Sequence, residues 1–126
     1  MISFENFHLQ DGLPIYLQII LFIKRGIIGG MIASGEELPS RRALSALLGV
    51  NPNTIQKAYR QLEDEQLIQS HSGAKSYVSL TDEKLCEIRN ELIRNDIRAV
   101  VSAMKHTGLS REEAHRLIDT LWEEEL

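Results

Sequence analysis

The side chains best suited to chemistry lie in one stretch near the middle of this sequence. Two adjacent arginines, Arg41 and Arg42, open a short apolar-patterned segment that ends at Gly49. The next segment begins with polar side chains followed by a lysine: Asn51, Asn53, Thr54, Gln56 and Lys57. Amides and hydroxyls match the mixed donors and acceptors on the edges of DNA bases, and arginine and lysine match phosphate. The stretch therefore favours contact with a nucleic acid.

The net charge of this stretch differs from that of the rest of the chain. The whole sequence carries a net charge of −4, but residues 39–80 carry +2, residues 1–38 carry −2 and residues 81–126 carry −4. The acidic residues of the middle part cluster at the end of its second segment, in Glu63, Asp64 and Glu65. A basic face on an acidic chain is typical of a contact with a polyanion, although a solvated surface gives the same pattern.

Helix start and stop signals divide the stretch into a helix-turn-helix. Ser40 is a good N-cap for a helix that continues to residue 48, and Gly49 ends it. Asn51 caps the following helix, with Pro52 at its first position. The buried face of this second helix is predicted from helical spacing to consist of Ile55, Ala58, Tyr59 and Leu62. In a helix-turn-helix, the first residues of the second helix meet base edges in the major groove.

The flanking segments predict a winged domain. An apolar helix is expected over residues 14–28, after an extended lead-in with a short strand at residues 2–7, and residues 34–37 predict a turn. After the helix-turn-helix, short strands at residues 67–68 and 76–80 surround a glycine turn at Gly73, which predicts a β-hairpin wing. Lys75 at the tip of this hairpin is suited to meet a phosphate or to enter the minor groove.

The remaining residues, 81–126, predict two amphipathic helices separated at residues 106–108. They are too few to enclose a ligand pocket, but they can bury their apolar stripes against a second copy. Because two-fold operators need two-fold proteins, we expect a homodimer. The predicted dimerisation residues are Leu85, Ile88, Leu92, Ile97, Leu117, Leu121 and Trp122. The expected fold is mainly α with a small β-hairpin wing: a winged helix-turn-helix over residues 1–80, followed by a two-helix dimerisation tail over residues 81–126.

Other classes of protein receive little support from the sequence. The histidines have no metal-ligand spacing, the one cysteine, Cys86, can form no internal disulfide, and no phosphate loop or catalytic constellation is present. We therefore predict neither an enzyme nor a cofactor. The longest apolar run has nine residues, against roughly 20 for a membrane span. With no signal peptide recognised, we expect a cytoplasmic protein without a membrane partner.

Ordered motifs over about residues 12–80 resemble those of GntR-type winged-helix transcription regulators. They are Pro14-Ile15-Tyr16, Leu38-Pro39-Ser40 with Arg42, Val50-Asn51-Pro52-Asn53-Thr54-Ile55, Lys57-Ala58-Tyr59 and Ser76-Tyr77-Val78. The Asn-Pro-Asn-Thr and Lys-Ala-Tyr signatures, together with the short tail, are similar to the YtrA-like subgroup. The resemblance implies a sequence-specific repressor that binds a palindromic operator of double-stranded DNA as a homodimer. It also implies control of an adjacent operon, often one that encodes an ABC transporter.

The resemblance assigns DNA contacts residue by residue. The arginine at the start of the first motif helix maps to Arg42, and Ser40 and Arg41 stand beside it. The recognition-helix contacts map to Asn51, Asn53, Thr54, Gln56 and Lys57, and the wing contacts map to Gly73 and Lys75. Many relatives carry arginine on the recognition helix where this chain has Pro52 and Gln56, so recognition of guanine by arginine rests on Arg42. Gln66 replaces a family glycine before the first wing strand, which predicts a looser turn, and Lys75 replaces a second wing glycine.

Each residue assigned to DNA also has an alternative role that involves no DNA contact. Arg41 and Arg42 could be a solvated helix start, Asn51 could act only as an N-cap, and Lys57 could be a surface charge. For the whole chain, the alternative is a winged-helix protein-interaction module whose acidic tail docks a partner. Such a module would more often expose Leu, Phe or Met on its second motif helix. The operator sequence, any effector and the sign of regulation do not follow from the sequence.

Overall fold

The structure, a computed structural model, describes residues 1–71 and 75–124. These residues form five helices and a three-stranded antiparallel sheet, in agreement with the predicted fold class. In chain order the elements are α1 (Ile15–Ile28), β1 (Glu37–Leu38), α2 (Arg41–Leu48), α3 (Pro52–Asp64), β2 (Ile68–Ser70), β3 (Ser76–Val78), α4 (Asp82–His106) and α5 (Arg111–Glu124). The chain divides into two compact units, Met1–Arg89 and a second that begins at Asn90, so the boundary falls within α4.

Local contacts set the start of α2 and α3, as the sequence predicts. The Ser40 Oγ accepts a hydrogen bond from the Ala43 N–H at 3.1 Å, which caps α2. Gly49 ends that helix with a φ of 68°, a left-handed conformation that glycine adopts without steric cost. The Asn51 Oδ1 then accepts from the Asn53 N–H at 2.8 Å, which caps α3. These contacts fix the turn of the helix-turn-helix and hence the start of its second helix.

The core of the first unit surrounds α3, which packs on α1 and α2. The predicted apolar face of α3 is fully buried, together with apolar side chains of the other two helices: Ile19, Ile23, Leu44, Ile55, Ala58, Tyr59 and Leu62. The Tyr59 hydroxyl donates to the Pro39 carbonyl at 2.7 Å. Burial raises the pKa of this phenol, and the nearby charge of Arg41 lowers it in part. Since each buried Leu or Ile contributes about 1.5–3 kcal/mol, this face anchors α3 to the rest of the domain.

A short strand that the sequence did not predict, β1, completes the sheet. The strand order is β1-β3-β2, with Glu37 opposite Tyr77, so Glu37 belongs to a strand and not to the predicted turn. The predicted strand at residues 2–7 is wrong, because none of these residues lies in a strand. The Ile2 N–H does donate to the Glu37 carbonyl at 2.9 Å, and packing of three phenylalanine rings holds the segment on α1.

The expected looser turn after α3 is also wrong. Gln66 has a φ of 63°, the left-handed conformation that a glycine would take there. The Gln66 N–H donates to the Glu63 carbonyl and the Leu67 N–H to the Leu62 carbonyl, both at 2.9 Å, as in a tight Schellman helix end. Leu62 and Leu67 are both fully buried. Their burial, about 1.5–3 kcal/mol each, outweighs the cost of about 1–2 kcal/mol for a left-handed glutamine.

The two tail helices, which the sequence predicted, begin at side-chain caps. The Thr81 Oγ1 accepts from the Lys84 N–H at 3.1 Å at the start of α4. At the start of α5, Ser110 and Glu113 form a capping box, in which each side chain accepts from the other residue's N–H, at 3.2 and 3.3 Å. Gly108 ends α4 with a φ of 79°. Among the described residues, no helix combines the length and the apolar character that crossing a membrane requires.

Candidate nucleic-acid interface

The start of α3 presents the polar side chains that the sequence assigned to DNA. Asn51, Asn53 and Lys57 are exposed, and Thr54 and Gln56 are partly exposed. The capping bond uses only the Oδ1 of Asn51, so the amide NH2 group of this residue remains a donor. The positive end of the helix dipole also favours an anion here, although Pro52 has no N–H and the N–H groups of Asn53 and Thr54 already donate to Asn51. This end of α3 therefore combines the groups that bind base edges with those that bind phosphate.

An open groove lies between the starts of α1 and α3. It is lined by Pro14, Ile15, Tyr16, Asn51, Asn53, Thr54 and Lys57. The Lys57 Nζ lies 4.1 Å from the centre of the Tyr16 ring, a cation–π contact worth about 0.5–1 kcal/mol at an exposed site. Tyr16 and Lys57 lie on different helices, so no signal in the sequence indicated this contact. It restricts the positions of the Lys57 ammonium and so favours a defined contact with an anion.

The two adjacent arginines of α2 lie in different surroundings. Arg42 is exposed and forms no ion pair with any residue that the structure describes. Arg41 is turned inward: its Nη2 lies 3.1 Å from the Glu63 Oε1, and its guanidinium carbon lies 5.2 Å from the centre of the Tyr59 ring. The Arg41 Nε is buried without a hydrogen-bond partner in the described structure. The geometry therefore favours Arg42 over Arg41 as the residue that is available to DNA.

The acidic cluster at the far end of α3 is largely neutralised within the fold. Glu65 pairs with the buried Lys24 of α1 at 2.8 Å. Glu63 pairs with Arg41 of α2. These ion pairs use basic side chains on the core side of the domain, while Arg42, Lys57 and the exposed Arg60 stay on its outer surface. The start of α3 is therefore more positive than the net charge of the whole chain suggests.

In the wing, Lys75 lies at the end of the hydrogen-bonded pairing between β2 and β3. Lys75 is exposed, whereas Gly73, the other predicted wing contact, lies outside the described residues. The His71 N–H donates to the Lys75 carbonyl at 3.0 Å, which extends the pairing of β2 and β3. The rings of His71 and Tyr77 meet edge to face with their centres 5.1 Å apart. Ser40, also assigned to DNA, is partly exposed and caps α2 through its hydroxyl.

The seven residues predicted to form the dimer surface divide into two groups. Ile88 and Leu92 are buried within the single chain, so they present little side-chain surface to a second copy. The other five are exposed: Leu85, Ile97, Leu117, Leu121 and Trp122. Exposed large apolar side chains at this density are unusual for a surface that stays in water. These five residues stay candidates for a dimer contact, and four more apolar side chains of α4 and α5 are also exposed: Ile93, Val100, Val101 and Ile118.

A model of the bacterial regulatory proteins of the gntR family matches residues 15–78. These residues contain α1, the helix-turn-helix and the whole of the sheet. The chain belongs to the GntR family. GntR proteins are regulators that bind DNA, so this chain is a DNA-binding transcription regulator and not an enzyme.

Relatives of the same length confirm the similarity to the YtrA-like subgroup. The HTH-type transcriptional repressor YtrA of Bacillus subtilis is 33% identical over 110 residues, which cover 86% of this chain and 85% of YtrA. The uncharacterized HTH-type transcriptional regulator YhcF of the same bacterium is 32% identical over 114 residues, which cover 90% of this chain and 94% of YhcF. The similarity thus extends beyond the winged domain into the tail.

Solved structures share the GntR winged-helix fold. A GntR family transcriptional regulator from Listeria monocytogenes matches with a TM-score of 0.78 and 29% identity, over 89% of this chain and 98% of its own. BusR of S. agalactiae, solved in complex with its busAB-promotor DNA, matches with a TM-score of 0.50 and 25% identity. That match covers 86% of this chain and 55% of the BusR chain.

Proposed function

We propose that this GntR regulator binds a palindromic operator of double-stranded DNA as a homodimer and represses the operon next to it. The observation that carries the proposal is the exposed start of α3, where amide, hydroxyl and ammonium groups lie together and no acidic residue that the structure describes pairs with them. Asn53, Thr54 and Gln56 are suited to base edges in the major groove. Lys57, held against Tyr16, is suited to a phosphate.

Arg42 extends this surface from α2. It is exposed in the first turn of α2, two residues after the cap at Ser40, on the helix that precedes the recognition helix. A guanidinium there can bind a phosphate, or guanine through its O6 and N7 atoms. Since α3 carries no arginine near its start, Arg42 is the only arginine in the helix-turn-helix that we assign to DNA recognition.

The protein-interaction alternative finds no support on the same helix. A docking surface for a protein partner would expose large apolar side chains. None of the exposed large apolar side chains in the described part of the chain lies on α3. The exposed groups of α3 are amides, hydroxyls and charges, which bind DNA more readily than an apolar partner surface.

The tail supports the proposed dimerisation, and the relatives support the proposed repression. The tail exposes apolar side chains on both α4 and α5, which a second copy would cover. A two-fold dimer presents two recognition helices and so requires an inverted repeat in DNA. The similar YtrA is named a repressor. The subgroup resemblance adds an adjacent operon, often one that encodes an ABC transporter, and a cytoplasmic location.

Selection of bound sequences from a random double-stranded DNA pool tests the proposal directly. We expect enrichment of an inverted repeat whose half-site centres lie about 10 base pairs apart, or a multiple of that distance. A transcription assay on the operon nearest to the selected site then measures the sign of regulation. Enrichment of an asymmetric single site would reject the dimeric operator, and a pool without enrichment would reject sequence-specific binding.

A further inference from the structure

One carboxylate joins the helix-turn-helix to the wing. The Glu63 Oε1, at the end of α3, accepts two hydrogen bonds from different elements. The first comes from the Arg41 Nη2 of α2 at 3.1 Å, and the second from the Ser70 Oγ of β2 at 2.9 Å. Hydrogen bonds to an ionised carboxylate are the stronger kind, so this oxygen is a junction of three elements.

The junction continues into the last strand of the wing. The Ser70 Oγ lies 3.3 Å from the Ser76 Oγ, and the two residues are register partners in β2 and β3. Because a serine hydroxyl has one proton and Ser70 gives it to Glu63, Ser76 is the donor of this second bond. Ser76 is 1% exposed and directly follows Lys75. The network therefore ends beside the cation that is assigned to DNA.

The wing needs such a support because its own ladder is short. β2 and β3 have three residues each, and β1, which pairs with the other edge of β3, adds only two, so a sheet of that size gains little stability from its own pairing. The network Arg41–Glu63–Ser70–Ser76 connects both strands to the helices that set the recognition surface. The cation–π contact of Arg41 with Tyr59 holds the helix side of the network in place.

We propose that Glu63 is a positioning residue for DNA binding: it fixes the wing relative to α3, so that Lys75 reaches a phosphate while α3 lies in the major groove. Glu63 itself does not contact DNA in this arrangement, since its oxygen is used by Arg41 and Ser70. The inference rests on the proposed function, because it needs an operator on which wing and recognition helix act together.

A double-mutant cycle on the selected operator tests this inference. Glu63→Ala should weaken binding by the same factor as Lys75→Ala, and each should lower the slope of log affinity against log salt by about one unit. Adding Lys75→Ala to Glu63→Ala should cause no further loss, because the lysine is then already misplaced. Combining Lys57→Ala with Glu63→Ala should instead multiply the losses of affinity of the two single variants, because Lys57 lies on the recognition helix and its contact does not depend on the wing. Glu63→Gln, which keeps an acceptor oxygen, should recover most of the affinity.

Ser70→Ala provides a variant that leaves the ion pair of Arg41 and Glu63 intact. Ser70 is exposed, so its replacement should leave thermal unfolding nearly unchanged while reproducing the non-additivity with Lys75→Ala. If Lys75→Ala causes its full loss of affinity even when combined with Glu63→Ala or Ser70→Ala, the inference is overturned. Salt slopes that stay unchanged in the Glu63→Ala and Ser70→Ala proteins would also overturn it. An operator that is bound equally well by Lys75→Ala would also overturn it, while leaving the proposed function in place. Failure to select any operator would instead reject the proposed function.

Discussion

At the scale of single residues, the adjacent arginines of α2 have different roles: Arg41 is structural, and Arg42 is the one assigned to DNA. Both are basic and both lie in the first turn of α2. Arg41 is committed to Glu63 and to the ring of Tyr59, whereas Arg42 is exposed. The Glu63 carboxylate offsets the charge of Arg41 and holds its guanidinium toward the core, so the two side chains should differ in affinity assays.

We expect Arg42→Ala to weaken specific DNA binding by roughly 1–3 kcal/mol without changing the free energy of unfolding. Arg41→Ala, the matched control, should cost less in binding and should lower the free energy of unfolding by at most about 1 kcal/mol, since its ion pair is partly exposed. Fluorescence anisotropy at fixed salt measures the binding, and urea unfolding measures the stability. Equal losses of affinity in the two variants would contradict this division of roles.

The sequence predicted the surface of the site better than its interior contacts. Ser40 and Asn51 cap through bonds to residues two or three positions away, so their signals are local and could be recognised. The partner of Arg41 lies 22 residues away, and the partner of Lys57 lies on α1. Such contacts depend on how helices pack, which neither composition nor periodicity specifies. The same reason explains why β1 was missed, because a two-residue strand is defined only by its pairing with β3.

At the scale of elements, the end of α3 depends on a residue in an unfavourable backbone conformation. Gln66 stands at a φ of 63°, and the sequence suggested that the turn would relax around it. Burial of Leu62 and Leu67 on either side keeps the turn tight instead. The sequence identified the exchange of glycine for glutamine but not the packing that decides its outcome.

We expect Gln66→Gly to raise the free energy of unfolding by about 0.5–1 kcal/mol. The relief of left-handed strain, about 1–2 kcal/mol, exceeds the added entropy of the unfolded chain, about 0.4–1 kcal/mol. Gln66→Val should lower the free energy of unfolding, because a β-branched residue is disfavoured more strongly at positive φ. Urea unfolding measures the free energy of unfolding of both variants, and we expect their m-values to equal that of the unmodified protein. A less stable Gln66→Gly protein would show that the glutamine side chain contributes more than its backbone costs.

At the scale of the whole molecule, the tail shows what helical spacing leaves undetermined. Periodicity identified the apolar positions of α4 and α5, but it does not distinguish those that the chain covers itself. Leu92 is 3% exposed, whereas Leu121 and Trp122 on α5 are 51% and 76% exposed. Contact with a second copy would bury the most apolar surface at such exposed positions. Each Å² of apolar surface removed from water stabilises the dimer by about 25 cal/mol.

Leu121→Glu should therefore shift the protein from dimer to monomer while the far-ultraviolet circular dichroism stays unchanged. The side chain is half exposed in the single chain, so a carboxylate there costs little in the monomer but would be buried without a partner in a dimer. Thr120→Glu, an exposed neighbour on α5 with the same change of charge, is the control and should stay dimeric. Sedimentation equilibrium measures the state of each protein. Affinity for a palindromic operator should fall by roughly a hundredfold or more in the monomer, because the two half-sites are no longer bound by one linked molecule. A Leu121→Glu protein that still sediments as a dimer would exclude this stripe of α5 as the main dimer contact.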